Sequence, residues 1–64
     1  MLQPHQQRVI EEQKKLQENL DKLSEFLNNG KSALLSQEDW DDLILQEESM
    51  DSYNEILKRR ISRF

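Results

Sequence analysis

The amino-acid sequence predicts an all-α fold, an antiparallel two-helix hairpin that assembles into a homo-oligomeric helical bundle. Apolar residues recur at coiled-coil spacing along two long stretches, and the only glycine of the chain lies between them. The chain has 64 residues and no cysteine, and a core this small is marginally stable without disulfides, a metal or oligomerisation. We therefore expect residues 1–64 to form a single helical-hairpin domain that associates with copies of itself.

The first helix is expected from about residue 4 to residue 28. Pro4 suits a first helical turn, where its missing N–H has no intrahelical partner to lose. The apolar stripe of this helix has the a/d spacing of a coiled coil, although Gln13 interrupts it, and Ile10 and Phe26 widen it. The stripe repeats in steps of seven, four, three and four residues and consists of Val9, Leu16, Leu20, Leu23 and Leu27.

A loop is expected at residues 29–36. The run Asn28-Asn29-Gly30 favours a helix stop, because glycine adopts the left-handed conformation without steric cost. Ser36 and Asp39 resemble a capping box, with Asp where Glu or Gln is usual. They predict the start of the second helix.

The second helix is expected from about residue 37 to residue 63. Its short connection to the first helix makes an antiparallel hairpin the natural arrangement. The main apolar stripe consists of Trp40, Leu43, Met50, Leu57, Ile61 and Phe64. Further apolar side chains lie off the stripe and need a partner outside the hairpin, which predicts a homo-oligomer, either a dimer that forms a four-helix bundle or a higher closed assembly. These are Ile44, Leu45, Tyr53 and Ile56.

The composition excludes several classes of function. A net charge of −4 argues against duplex DNA as a partner, because duplex binding needs a broad basic surface. No apolar run approaches the roughly 18 residues of a membrane span, so we expect no membrane partner. One histidine without cysteine cannot build a metal site, and we expect no cofactor. The absence of a glycine-rich phosphate loop and of a paired nucleophile and base indicates that the protein is not an enzyme.

The charges are distributed unevenly along the chain. Residues 38–55 carry eight acids and no base, and antiparallel pairing sets this stretch opposite the lysines of the first helix. We expect ion pairs there that help to set the register, although each is worth only about 0–1 kcal/mol. The second helix ends on four cations, which the hairpin brings beside His5 and Arg8.

The basic end allows two interpretations. Cations stabilise the negative C-terminus of a helix by about 0.3–1 kcal/mol each, which accounts for one or two of them. Alternatively the cations hold an anion, because arginine forks suit phosphate oxygens. The candidate phosphate ligands are Arg8, Arg60, Arg59, Arg63 and Lys58. The weaker candidates for contact with a base or ribose are His5, Tyr53 and Phe64, of which Tyr53 is the best for stacking.

Three segments of the chain resemble a known family of hairpin proteins. They are Gln7-Arg8-Val9-Ile10-Glu11-Glu12, residues 20–26, and the spaced set Met50, Tyr53, Ile56, Leu57, Arg60, Ile61 and Phe64. Together they are similar to the two helices of the hairpin domain shared by phage anti-CBASS and anti-Thoeris sponge proteins. The resemblance covers nearly the whole chain apart from the loop.

This resemblance implies a function and a location. Proteins of this family are oligomers, some of them hexamers, which implies an assembly between a dimer and a hexamer here. They bind cyclic di- and trinucleotides or cyclic ADP-ribose isomers and sequester them without cleavage. The ligands sit between protomers, where basic side chains meet the phosphates, and the matching basic positions here are Arg8 and Arg60. The resemblance also implies that the protein acts in the cytoplasm of the infected bacterial host.

Two other functions stay open. A helical-hairpin dimer also serves as an RNA- or protein-binding regulatory module, as the plasmid copy-number hairpin proteins do. The acidic residues between positions 38 and 55 count against RNA, because they occupy one flank of such a bundle. The third possibility is a structural coiled coil that binds no small ligand.

Overall fold

The computed structural model describes all 64 residues and contains two helices, α1 (Pro4–Asn28) and α2 (Gln37–Ser62). The helices pack against each other along their length as a hairpin, so the predicted all-α hairpin is confirmed. The molecule is a rod with extents of 50 × 15 × 14 Å. The turn between the helices is at one end, and both chain termini are at the other.

Local hydrogen bonds explain where the helices begin and end. The backbone N–H of Gln3 donates to Oε1 of Gln6 at 2.9 Å, which closes the first turn of α1. Gly30 takes a φ of 86°, the left-handed conformation expected of the residue after a helix stop. The Oγ of Ser36 accepts a 3.1 Å bond from the N–H of Asp39 and caps α2, as the sequence predicts.

The hairpin has a very thin core. Only four residues are buried, and three of them are apolar: Val9, Leu20 and Leu57. Most of the remaining stripe residues are half-buried. Phe64, predicted to belong to the stripe, lies beyond the end of α2 and is 41% exposed. A core of this size fits a chain whose stability depends on further contacts.

The expected ion pairs between the helices do not form. The only salt bridge of the molecule is a 3.5 Å contact between Lys58 Nζ and Glu55 Oε1, within a single turn of α2. The lysines of α1 are exposed to solvent, where holding a long side chain in one geometry gains little free energy. The register of the hairpin is therefore set by other contacts, which are apolar packing and hydrogen bonds between side chains of the two helices.

Candidate functional site

The fourth buried residue is polar and lies at the centre of the helix contact. Asn54 of α2 is 1% exposed. Its Oδ1 accepts a 3.0 Å hydrogen bond from Nε2 of Gln13, and its Nδ2 donates a 2.7 Å bond to Oε1 of Gln17. One side chain thus joins two successive turns of α1, and no buried polar side-chain atom is left without a partner. These bonds fix which turns of the two helices face each other.

A second bond between the helices lies on the surface at the same level. The Tyr53 hydroxyl donates a hydrogen bond to Oε1 of Glu12. This bond raises the pKa of Tyr53 above its ordinary value, and desolvation and the negative charge of Glu12 raise that pKa further. The nearby positive charge of Arg60 acts in the opposite direction and lowers the pKa of Tyr53. Tyr53, Glu12 and Arg60 therefore share one local environment.

This register brings Arg8 and Arg60 to the same part of the surface. Arg8 precedes Glu12 by four residues, which is about 6 Å along α1 toward the open end of the hairpin. Arg60 follows Tyr53 by seven residues, about 10 Å along α2 in the same spatial direction. At about 100° per residue, four and seven residues each return a side chain to nearly the same face of its helix. We call the surface formed by Arg8, Glu12, Tyr53 and Arg60 the tyrosine flank.

The other candidate residues divide between this flank and the rest of the basic end. His5 lies seven residues before Glu12 and so belongs to the tyrosine flank, and it is exposed. Lys58 and Arg59 lie roughly 140° and 120° around α2 from Tyr53, away from the tyrosine flank. Arg63 caps the end of α2. Phe64 follows it without returning to the core.

The cations of the basic end are mostly unpaired within the hairpin. Lys58 contacts Glu55, whereas no carboxylate forms a salt bridge with any of the arginines of the chain. These are Arg8, Arg59, Arg60 and Arg63. All four are exposed. Their charges are available to an anion or to another chain.

The one concave surface of the single hairpin lies elsewhere. It is an open groove of about 430 Å³ on the side of the helix contact where Gln17 bonds Asn54. Seven residues line it, and four of them are carboxylates: Asp21, Glu47, Glu48 and Asp51. Such a groove repels phosphate. It does not coincide with any of the residues that the sequence singled out for binding.

No group of three or more histidine, aspartate or glutamate side chains is arranged to hold a metal ion. Neither helix combines the length and apolarity needed to cross a lipid bilayer.

Two of the groups that join the helices, Asn54 and Gln17, were not predicted from the sequence. Asn54 falls between Met50 and Leu57 on the apolar stripe of α2, at steps of four and three residues. Each apolar stripe therefore contains one polar residue, Gln13 on α1 and Asn54 on α2. Once the two helices are aligned, these two positions indicate an amide pair across the contact.

The fold and its surface define the chain as a small helical hairpin whose distinctive chemistry is a set of exposed arginines beside a tyrosine. The Sequestin family model matches residues 3–63, and the chain belongs to the Sequestin family. The name of this family denotes sequestration, which is binding rather than catalysis. No curated protein and no solved structure matches the chain.

Proposed function

We propose that this protein binds and sequesters cyclic oligonucleotide or cyclic ADP-ribose-type signals without cleaving them. In the cytoplasm of an infected bacterium, this binding would keep host defence of the CBASS or Thoeris type inactive. The observation that carries the proposal is the tyrosine flank, where Arg8 and Arg60 have no carboxylate salt-bridge partner and Tyr53 offers a 42% exposed ring. Membership of a family named for sequestration supports it.

The roles of the residues follow from their chemistry. The guanidinium groups of Arg8 and Arg60 are permanently charged and suit phosphate oxygens through paired N–H donors. The ring of Tyr53 offers a face for a base, and its hydroxyl is already held by Glu12. His5 lies at the outer edge of the same flank. Lys58, Arg59 and Arg63 raise the local positive potential without facing the same point.

The site that we propose is completed by other copies of the chain. The only groove of the single hairpin is acidic and is not lined by any residue of the tyrosine flank. A phosphate gains most when several donors surround it and exclude water. A homo-oligomer in which a second copy covers the tyrosine flank supplies such a pocket, and the thin core of the single hairpin favours association.

The acidic groove makes a long RNA a poorer partner than a small cyclic ligand. Four carboxylates on one side of the rod repel a polyanion that runs along it. A compact ligand at the tyrosine flank avoids them. The proposal therefore favours the sponge over the RNA-binding module.

A thermal-shift screen against cyclic di- and trinucleotides and cyclic ADP-ribose isomers tests the proposal. A ligand that binds only the folded protein at 100 times its Kd adds about 2.7 kcal/mol to the free energy of unfolding. We expect a rise in Tm with one class of ligand and its loss in Arg60→Ala. Lys58→Ala removes the same charge away from the flank and should keep the shift.

Mass spectrometry of the recovered ligand completes the experiment. An unchanged ligand supports sequestration, whereas a cleaved one contradicts it. No shift with any ligand would refute the proposed sponge function for these signals. A shift that Lys58→Ala abolishes as fully as Arg60→Ala would indicate general charge attraction rather than a site at the flank.

A further inference from the structure

A second stripe on α2 remains without a partner in the hairpin. Leu45 is 58% exposed and Ile56 is 51% exposed, and two exposed serines, Ser49 and Ser52, lie between them. The steps along this stripe are four, three and four residues, which keep all four side chains on one face of a helix. On α1 only Phe26 is large, apolar and exposed, so the second stripe belongs to α2 alone.

The stripe is symmetric about its own midpoint. Leu45 and Ile56 lie at equal distances from a point between residues 50 and 51, and so do Ser49 and Ser52. Two copies of α2 packed antiparallel about a two-fold axis at that point therefore set Leu45 against Ile56 of the second copy. The small serines meet at the centre, where they let the helices approach closely. Such a contact is self-complementary, as a two-fold interface requires.

Charged residues at the two ends of the stripe are also placed symmetrically about this midpoint. Those at the start of α2 are acidic, and those at its end are basic. Glu38 and Arg63 are equidistant from the midpoint, and they lie on the same face as the stripe. Asp41 falls opposite Arg59 of a second copy to within one residue. None of these four groups forms a salt bridge within the hairpin. An antiparallel contact would pair Glu38 with Arg63 and Asp41 with Arg59.

The same charges disfavour the parallel alternative. Parallel α2 helices would bring the acidic starts together and the basic ends together, and like charges facing each other across a helix contact are destabilising. Flanking charges of this kind select the orientation and the partner in helix contacts more than they add affinity. The apolar stripe supplies the attraction, and the charges determine its direction.

We propose that the face of α2 centred on Leu45, Ser49, Ser52 and Ile56 is the contact between two copies of this chain, packed antiparallel about a two-fold axis between residues 50 and 51. The inference does not depend on the proposed ligand. In this contact, α2 of the second copy covers the apolar side chains that the single hairpin leaves exposed. It also places the start of the second copy's α2 beside Arg60, at the edge of the tyrosine flank.

Multi-angle light scattering tests whether the contact exists. We expect the wild-type protein to have at least twice the mass of one chain and Ile56→Arg to have a lower mass. Ile44→Arg is the matched control, since Ile44 is also exposed but lies off this stripe, and it should leave the mass unchanged. A monomeric wild type, or an unchanged mass in Ile56→Arg, would overturn the proposal.

Charge reversal tests the pairing. Glu38→Arg with Asp41→Arg should lower the mass, and so should Arg59→Asp with Arg63→Glu. The four substitutions in one chain should restore the wild-type mass, because each pair is then present with its signs exchanged. Circular dichroism should show the same helix content in all three variants. Failure of the fourfold variant to associate, with its helices intact, would contradict these pairs.

Cysteine cross-linking tests whether the two α2 helices are antiparallel. The chain has no native cysteine, so any disulfide must come from the introduced residues. After oxidation, a mixture of Ser49→Cys chains and Ser52→Cys chains should form the mixed disulfide. Neither variant alone should cross-link as readily, because the antiparallel axis separates identical positions. Efficient cross-linking of Ser49→Cys alone would indicate a parallel contact and refute the proposal. Ligand binding by the thermal-shift screen is a separate readout, so either proposal can fail without the other.

Discussion

Asn54 and Gln17 are joined by a 2.7 Å hydrogen bond from Nδ2 to Oε1 between the two helices, and Gln13 donates a further bond to the same asparagine. A shift of α2 by one turn in either direction would separate Asn54 from one of the two glutamines and leave an amide group of the contact unpaired. Such a shift costs the desolvation free energy of the amide, about 1–3 kcal/mol for each unpaired group. Asn54 thus specifies the register. Buried polar residues are known to have this role in coiled coils.

The first prediction concerns this amide. Asn54→Ala should lower the free energy of unfolding by about 1–3 kcal/mol, because it leaves Gln13 and Gln17 without their partner in a contact that water enters poorly. Denaturation in urea, followed by circular dichroism, measures the loss. Asn19→Ala makes the same chemical change at an exposed position of α1 and should change stability by less than about 0.5 kcal/mol.

An apolar replacement of the pair separates stability from register. Asn54→Leu combined with Gln13→Leu should recover most of the lost stability, since packing side chains replace Asn54 and Gln13, and the half-buried amide of Gln17 can turn to water. The recovered hairpin should lose its unique register and show broadened or doubled amide resonances in NMR spectra. A sharp, single set of resonances would show that the amide pair does not determine the register.

The second prediction concerns the only apolar side chain with no exposure at all. Leu57→Ala should cost about 2–5 kcal/mol, because it removes buried methyl groups and leaves a cavity. A core this small supplies only about 3–5 kcal/mol, so the variant should be largely unfolded at room temperature by circular dichroism. Leu34→Ala removes the same atoms from a loop side chain that is 96% exposed and should leave the helix content unchanged.

The third prediction concerns the titration of Tyr53, the only tyrosine of the chain. Glu12→Gln removes the anionic acceptor that raises the pKa of Tyr53, so that pKa should fall toward its ordinary value. The phenolate absorbance followed against pH reports this residue alone. Glu11→Gln is the control, because Glu11 does not bond the tyrosine hydroxyl. Equal pKa values in the two variants would contradict the role of Glu12.

The raised pKa also fixes a pH dependence of stability. The folded pKa of Tyr53 lies above the unfolded pKa of about 10, so folding favours the neutral phenol. That contribution is fully present below the unfolded pKa and is lost as the pH rises through the folded pKa. The urea midpoint of the wild type should therefore fall more steeply at alkaline pH than that of Tyr53→Phe. The two midpoints should change in parallel near neutral pH.

The fourth prediction concerns the turn. Gly30 has a φ of 86° and open space around the position of a Cβ, so any cost of a side chain there comes from the backbone alone. Gly30→Ala should destabilise the hairpin by about 1–2 kcal/mol, the cost of the left-handed conformation for an alanine. Gly30→Asn should cost less, since asparagine tolerates that conformation. Thermal denaturation of the two variants under one set of conditions measures the difference.

The sequence predicted the hairpin because its helices are long and periodic and their break contains the only glycine. It did not predict how the helices are held in register. The expected attraction between acids and lysines was wrong, because charges on an exposed surface remain solvated and gain little from pairing. Asn54 was not predicted, because the hydrogen-bond partner of a polar residue within an apolar stripe is known only once the two helices are aligned.

For the site, the sequence supplied candidate residues, and their role in binding stays a prediction. The helix period alone spreads the cations of α2 around the helix, and the register adds that Arg60 lies near Tyr53 whereas Lys58 and Arg59 lie away from the tyrosine flank. Phe64 does not continue the apolar stripe, because α2 ends at Ser62. Periodicity gives the face of each residue only relative to its own helix. The contact between Glu12 and Tyr53 is needed to relate one helix to the other.

The rod shape of the hairpin has a consequence for how its mass is measured. The radius of gyration is 14.8 Å, whereas a compact chain of this length has about 11 Å. A single hairpin therefore diffuses like a larger globular protein, and gel filtration would report too great a mass for it. Small-angle scattering avoids the ambiguity, because two rods side by side keep a longest dimension near the 50 Å of one rod. Two rods end to end would nearly double it.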